Sequence, residues 1–513
     1  MTEATEQPGL IELIRARAEV APHDPAVGSS PGTAWTYAEL TTRIDSVAEG
    51  LTRRGLRPGQ RMLFSIRPSP ESIALVLGTI AAGGTIVFLD PGMSEELFRS
   101  RISLIDPKWV AAESLLYAAA APGPLGTLAR RRGLVLPRLS ALRAHKIRCG
   151  PWLPGVPRGS VEARALLDQC ITGPAVGGRS LDSDALVVFT SGTTADPKAV
   201  VHSERSLTAA FHALAGRAEL GPGSVVYTDQ AMIGLPALLS GARWNIPRHP
   251  LMSGIDERRF MQFLGDATHA FVVPAHLPKM MSLVAAGEVE FPGSLEQILL
   301  GGAPVNAAVL EAVRSVLPDV DVMAIYGMTE ILPIATVSGA DKLAYEGVGD
   351  LVGTPVPGVE VRVADDGELH FSGPNLCTGY LGAGPMSEHA SGDLGSLVDG
   401  RIVLSGRVKD MFIRGDTNVY PGLYEPRIAS LPGVDGCAFV SVPDRYGDEQ
   451  IILALVTASA DAFDRAVDAL ESIVDHAARP DRVLRVDGIP TSGRASKPDR
   501  ALLATQLEKV NRS

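Results

Sequence analysis

Near the amino end of the chain, apolar positions recur first with a helical period and then with that of strands. Thr36, Tyr37, Ala38 and Glu39 have the spacing of a capping box, and Leu40, Ile44, Val47 and Leu51 follow on one helical face. Gly55 supplies a stop for that helix. A short strand at 62–66, a helix from about Pro70 and a strand at 85–89 come next, ending in Asp90, Pro91 and Gly92. Strand, helix and strand in that order imply a parallel sheet. The apolar stretch 73–89 falls short of the ~20 residues a membrane span needs. Gly83 and Gly84 interrupt it, so it reads as a buried helix followed by a buried strand, with no membrane span.

From about residue 107 to 178 the chain is rich in Ala, Gly, Pro and Arg and has little periodicity, which reads as a connector with helical pieces. Alternation resumes at Leu186. Strands at 186–190, 224–227, 270–273 and 297–300, with helical patterns such as 203–214 between them, predict a second lobe of sheet and helices. Beyond Val348 short strands at 360–363, 368–371 and 401–404 are punctuated by Gly and Pro and predict a small β unit. A compact final segment begins near Gly406.

Composition narrows the classes. The 513 residues are 45% hydrophobic and 20% charged, which fits two or three globular units, and the net charge of -11 argues against nucleic acid as a partner. The basic stretches 130–132 and 143–148 lie in the connector without interleaved aromatics and read as solvated surface. Cys149, Cys170, Cys377 and Cys437 are too scattered for a zinc site or a disulfide framework. The acidic, polar amino terminus lacks the basic start and apolar run of a secretory signal, so a cytoplasmic location is expected.

The strongest local chemical signal is the run from Phe189 through Thr190, Ser191, Gly192, Thr193 and Thr194 to Lys198, which follows a buried strand. Backbone N–H groups, hydroxyls and a lysine in such a loop can surround phosphate oxygens, although the Walker spacing is missing. Downstream lie Gly301, Gly302, Ala303 and Pro304, then Tyr326, Gly327, Met328, Thr329 and Glu330. After these come Gly392 and Asp393, Arg407 to Asp410, and Ser496 to Arg500. In this order, from the helix at Thr36 to Lys497, the chain resembles the adenylate-forming superfamily. That superfamily contains acyl-CoA synthetases, luciferases and the adenylation domains of peptide synthetases.

The resemblance implies an α/β fold: a large multi-lobed N-terminal domain, 1–405, with two αβ sheet lobes and a β unit, plus a small mobile α+β C-terminal domain, 406–513. It implies that Ser191, Gly192, Thr193, Thr194 and Lys198, with Thr190 beside them, hold the β- and γ-phosphates of ATP, and that Glu330 ligates Mg²⁺. Thr329 would touch the α-phosphate, and Tyr326, next to Gly327, would stack on adenine. The turn Gly301, Gly302, Ala303 and Pro304 would press its backbone on the base. Asp393 would accept hydrogen bonds from the ribose hydroxyls with Arg407 assisting, and Lys497 would stabilise charge where a carboxylate attacks the α-phosphorus. Lys409 matches the hinge position and Gly415 lies near a pantetheine channel in the family.

Several positions depart from the pattern. Ala195 and Ala199 stand where phosphate-loop glycines are common, which would stiffen the loop, and Ser496 replaces a glycine. A histidine usual beside the acyl group is absent, and Ala231, Met232 and Ile233 suit either an apolar acyl pocket or core packing. The surroundings of Asp229 do not match those of amino-acid-activating domains. Leu89 to Met93, 234–247 and Thr329 to Pro333 look like olefin-pathway β-lactone synthetases of the superfamily. The expected activity is an acyl-CoA synthetase-like ligase that joins a small carboxylic acid, fatty or otherwise apolar, to AMP. Transfer to the thiol of CoA or of a phosphopantetheine on an acyl carrier protein would follow. Cyclisation of a β-hydroxy acyl-adenylate is the alternative within the superfamily, and a degenerate nucleotide-binding protein without turnover is the alternative outside catalysis.

Overall fold

The computed structural model describes residues 8–89, 93, 95–131, 136–170, 180–189, 198–248, 256–408, 412–414, 417–419, 421–443, 449–474, 478–492 and 497–511. In chain order its first strands are β1 (Pro25–Ser30), β2 (Ala34–Thr36), β3 (Arg61–Ser65), β4 (Thr85–Phe88), β5 (Trp109–Glu113), β6 (His145–Cys149) and β7 (Val161–Glu162). They are followed by β8 (Asp184–Phe189), β9 (Ala199–Ser203), β10 (Val225–Tyr227), β11 (Arg243–Pro247), β12 (His269–Val272) and β13 (Gln297–Leu300). Next are β14 (Asp321–Met328), β15 (Ile331–Ser338), β16 (Asp350–Pro355), β17 (Glu360–Val363), β18 (Glu368–Ser372), β19 (Gly379–Tyr380), β20 (His389–Val398) and β21 (Arg401–Arg407).

Two sheets organise this part of the chain. An eight-stranded sheet has the order β19-β9-β8-β4-β3-β5-β6-β7, and a thirteen-stranded sheet has the order β17-β18-β20-β21-β16-β15-β14-β13-β12-β10-β11-β1-β2. The helix Tyr37–Arg53 begins as its sequence predicts, with Thr36 accepting from the Glu39 N–H and Glu39 reaching back to the Thr36 N–H. It packs closely on Pro70–Ala81, where a Cβ on Gly78 would lie 2.5 Å from Val47. With Leu10–Val20, Glu204–Arg217 and Ala231–Ser240 these helices fill a layer between the sheets. One core there joins Met62, Ile86 and Leu186 of the smaller sheet to Val27, Trp244 and Leu299 of the larger. Further helices cover the outer faces: Phe98 and Tyr117 against Leu63 and Val110, and Leu277, Met280 and Val313 against Ala270 and Ile298. The parallel strands are therefore buried on both sides, which explains their nearly continuous apolar runs.

Three expectations need correction. Residues 107–178 do not form a connector with helical pieces alone. They supply β5, β6 and β7, three strands of the eight-stranded sheet. The strand near Leu186 does not open the second lobe, because β8 pairs with β4 and β9 continues the first sheet, while β10 begins the chain's return to the second. The basic stretch 143–148 is largely β6 rather than solvated surface. There Lys146 gives hydrogen bonds to the Leu142 and Ala144 carbonyls at 2.6 and 2.8 Å, and Arg148 pairs with Glu162 at 2.8 Å.

The β unit is continuous with the larger sheet through β16, which pairs with β15 on one side and β21 on the other. After β21 the chain builds a separate small sheet, in which Val434–Pro443 is antiparallel to Glu449–Thr457 and Arg482–Arg485 is parallel to the latter. Helices Ala460–Ile473 and Arg500–Asn511 complete its α+β layout. Among the described residues no helix is long and apolar enough to cross a membrane.

Candidate active site

Strands β10, β12, β13 and β14 run parallel, so the segments leaving their carboxyl ends emerge at one rim of the larger sheet. In open parallel sheets that rim is where ligands bind. The segment after β10 leads into the helix Ala231–Ser240, the one after β13 is the turn Gly301 to Pro304, and β14 ends at Met328 before Thr329 and Glu330. Gly302 has φ +79°, a conformation that favours glycine, whereas a Cβ on Gly301 would meet only ordinary contacts at 3.4 Å and beyond.

Asp393 is the focus of one cluster. Its position on β20 is opposite Arg407 on β21. The Arg407 Nε donates to Oδ1 at 2.7 Å and the Tyr326 hydroxyl donates to Oδ2 at 2.7 Å. The aspartate side chain is 3% exposed and the arginine 38%, so a buried carboxylate is held from inside by a phenol and from the solvent side by a guanidinium. The turn before it is fixed by Ser391, which accepts from the Asp393 N–H at 3.0 Å and donates to the Leu369 carbonyl at 2.6 Å. Burial, and then the neighbouring Asp393 charge, pushes the Tyr326 phenol well above its ordinary pKa and keeps its proton in place for that bond. Each carboxylate oxygen accepts one bond here and retains lone-pair capacity for a second, which is what a vicinal diol requires.

Glu330 is the focus of the other cluster. The Tyr380 hydroxyl donates to its Oε1 at 2.9 Å, and the Lys198 Nζ lies 5.1 Å from the Tyr380 ring centroid. Tyr380 sits on β19, opposite Val200 of β9, and Lys198 immediately precedes β9, so strand pairing brings these side chains together. The strap from Leu376 to Tyr380 joins the two sheets. Leu376 bridges to Ile331, the Cys377 N–H donates to the Glu330 carbonyl at 2.8 Å, and Gly379 pairs with Val201. His202 on β9 places Nε2 at 2.8 Å from the Thr329 carbonyl. His389 stands on β20, the strand that also carries Asp393. Burial lowers its pKa, while the Glu330 charge raises it and Lys198 lowers it.

As a donor set for magnesium, this fits. Among the described residues no group of three His, Cys, Asp or Glu side chains is assembled for a metal. A single hard carboxylate, steadied by a phenol beside a lysine, suits an ion that commonly takes one or two protein ligands and completes its shell with water and phosphate.

Thr190, Ser191, Gly192, Thr193, Thr194 and Ala195 lie outside the described residues, as do Lys409, Gly415 and Ser496. For Lys497 the structure describes the backbone, in a short strand paired with Thr491–Ser492. Arg500 makes two bonds to Glu425, at 2.6 and 2.7 Å, and a third to the Phe439 carbonyl at 2.7 Å, so it braces the small C-terminal sheet. Ala199 does not stiffen a loop: it is the first residue of β9, paired with Phe189, in a position that asks nothing special of its backbone. Ala231 and Met232 are half-buried and Ile233 is buried at the start of their helix. Sequence reasoning missed Tyr380, His202 and His389. A histidine interrupting the apolar run of β9 was a visible signal for His202, but nothing local marks Tyr380, whose meaning depends on β19 pairing with β9.

The AMP-binding enzyme family model matches residues 14–381. The feruloyl-CoA synthase of an Amycolatopsis species is 29% identical, over 84% of this chain and 85% of that protein. The olefin beta-lactone synthetase of Xanthomonas campestris pv. campestris is 28% identical, over 89% of this chain and 87% of that protein. Among solved structures, the amide bond synthetase McbA from Marinactinospora thermotolerans superposes with a TM-score of 0.79 at 24% identity, covering 97% of this chain and 99% of that one, and shares the fold.

Proposed function

The chain belongs to the AMP-binding enzyme family, and from that premise we propose that it is an ATP-dependent ligase that activates an apolar carboxylic acid as its acyl-adenylate. The observation that carries this reading is the pair of clusters at one rim. Asp393, held by Tyr326 and Arg407, is fitted to a ribose, and Glu330, held by Tyr380 beside Lys198, is fitted to the phosphate end. The helix Ala231–Ser240 starts at the same rim, where Ala231 and Met232, half-buried against the core between the sheets with Ile233 buried in it, would border the acid.

In the first half-reaction a carboxylate oxygen forms a bond to the α-phosphorus of ATP, and the bond to the bridging oxygen breaks as pyrophosphate leaves with the electron pair. The chain's residues orient the reactants for this step. Asp393 and Arg407 fix the ribose, Tyr326 and the turn Gly301, Gly302, Ala303 and Pro304 flank the base, and Thr329 touches the α-phosphate. The loop Thr190 to Thr194 with Lys198 holds the departing phosphates, and Lys497 brings a positive charge to the reacting oxygens. Magnesium, when bound, offsets phosphate charge, and Glu330 is the carboxylate that would hold it.

The division of labour would follow residues 1–405 and 406–513, with Lys409 as the hinge that exchanges adenylation for transfer to a thiol, CoA or a carrier-protein pantetheine, near Gly415. The similarity to a feruloyl-CoA synthase supports that second step. The similarity to an olefin beta-lactone synthetase supports a second reading, in which the adenylate of a β-hydroxy acid is closed by its own hydroxyl without any thiol. The test is a panel of fatty, aryl and β-hydroxy acids incubated with ATP and Mg²⁺, with and without CoA, following pyrophosphate and products. Thioester formed only with CoA supports the ligase, and lactone without CoA selects the second reading. Nucleotide binding with no pyrophosphate from any acid would defeat both and leave a non-catalytic nucleotide-binding protein.

A further inference from the structure

Thr329 and Glu330 form a two-residue reversal, since Met328 pairs with Ile331 across them. Two-residue hairpin connections normally place one or both residues at positive φ, which matches the twist of the flanking strands and favours Gly or Asn. Neither Thr329 nor Glu330 has positive φ. The reversal therefore lacks the backbone geometry that would make it self-supporting, and its two carbonyls are caught from other elements. The Cys377 N–H donates to the Glu330 carbonyl at 2.8 Å, and His202 Nε2 lies 2.8 Å from the Thr329 carbonyl. A carbonyl can only accept, so the imidazole carries its hydrogen on Nε2. Its Nδ1 faces the Ser206 hydroxyl at 3.4 Å, at the start of the helix that follows β9. His202 is 3% exposed, and it stands on the strand that Lys198 leads into.

We propose that His202 is a positioning residue: it ties the Thr329–Glu330 turn to the strand leaving the phosphate loop, and so sets where the Glu330 carboxylate meets a magnesium nucleotide. This rests on the acid-activating reading above. His202 touches neither nucleotide nor acid; it acts through the Thr329 carbonyl. Asp393 and Arg407 lie on β20 and β21, apart from this turn.

The experiment compares His202→Gln, His202→Asn and His202→Leu in the full chain. Glutamine carries an N–H to about the reach of Nε2, asparagine stops short of it, and leucine has none. Calorimetry with Mg²⁺ and α,β-methylene ATP reads the magnesium nucleotide, and adenosine, which carries no phosphate for Thr329 or Glu330 to meet, is the control. Loss of an outer support of a metal ligand typically costs about 10-fold to 100-fold in affinity, and the Asn and Leu variants are expected to fall in that range. Adenosine binding should be unchanged, and the Gln variant should stay close to wild type. Because Gln and Asn are both polar and similar in size, their contrast decides the matter even if the Leu variant does not fold. Equal affinity in all variants, a parallel loss of adenosine binding, or a Gln variant as weak as Asn would overturn the assignment. A wild-type chain that takes up no magnesium nucleotide would overturn the functional reading and this assignment together.

Discussion

Asp393 receives one donor on each oxygen, and the two donors have different weight. Tyr326 offers a neutral phenol from the buried side, whereas Arg407 neutralises the charge as well as bonding to it. A hydrogen bond to a charged group contributes about 1.5–3 kcal/mol, so Tyr326→Phe should weaken AMP binding by about 10-fold to 100-fold. Arg407→Ala should do more harm, because it leaves a buried carboxylate without its counter-charge, and Arg407→Lys should rescue little of it because an ammonium cannot present the Nε geometry. Calorimetric titration with AMP checks the order, and a Tyr326→Phe variant that binds like wild type would remove the phenol from the ribose site. Lys497 makes the opposite prediction. If it serves only the charge that develops during attack, Lys497→Ala should leave AMP affinity intact and slow acid-dependent pyrophosphate release by about 100-fold or more, in line with the ~3 kcal/mol a preorganised donor supplies. Unchanged pyrophosphate release in that variant would end its catalytic assignment.

The helix Ala231–Ser240 shows how an element can be governed by one contact. Its own propensity favours alanine over Gly234 by about 1 kcal/mol. A Cβ at that position, however, would stand 1.9 Å from the Trp244 ring, and that tryptophan is fully buried with its indole N–H given to the Thr228 carbonyl at 2.8 Å. The ring cannot withdraw, so overpacking at ~1–3 kcal/mol or more outweighs the propensity gain. Gly234→Ala is expected to lower the melting temperature. It should also change which acids are activated, because the helix would have to lift and carry Ala231, Met232 and Ile233 with it. A stabilised Gly234→Ala protein with unaltered acid preference would show that the helix is not pinned there. The contact also explains why this part of the chain was only half legible. The pattern gives an apolar helix start, but the glycine's reason is Trp244 on the following strand β11, whose packing back onto the helix no periodicity announces.

At the scale of the whole molecule, what could be read from the chain was whatever is local. The capping box at Thr36 and the apolar runs of β4 and β13 announce themselves because each is complete within a few residues. β6 does not, since of His145, Lys146, Ile147, Arg148 and Cys149 only Ile147 is fully buried, and an edge-side strand need not look apolar. Nor can periodicity say that β8 returns to β4 while β10 goes to β11, which is why the two sheets were drawn with the wrong boundary. The same limit applies in the site: Asp393 and Arg407 are named by their motifs, but Tyr380 acquires its place only through pairing. Burial across these layers also sets the response to acid. His202 and His269 are held below their ordinary pKa chiefly by burial, and so is the half-buried His389. In the unfolded chain these imidazoles take up protons near pH ~6.5, while in the fold they resist. Below that pH the unfolded state therefore binds more protons and gains on the native one, so stability is full above about pH 6.5 and falls as pH drops toward the folded values. The depressed carboxylates act in a different window. Glu388, pushed down to about 2 by its bond to Arg362, keeps its contribution until pH falls below the ordinary carboxylate range. A melting temperature that declines between about pH 7 and pH 5.5 is the expected signature of these buried histidines, and His269→Gln should flatten part of that decline. A melting temperature constant across that interval would mean that the buried imidazoles take up protons in the fold as readily as in the unfolded chain.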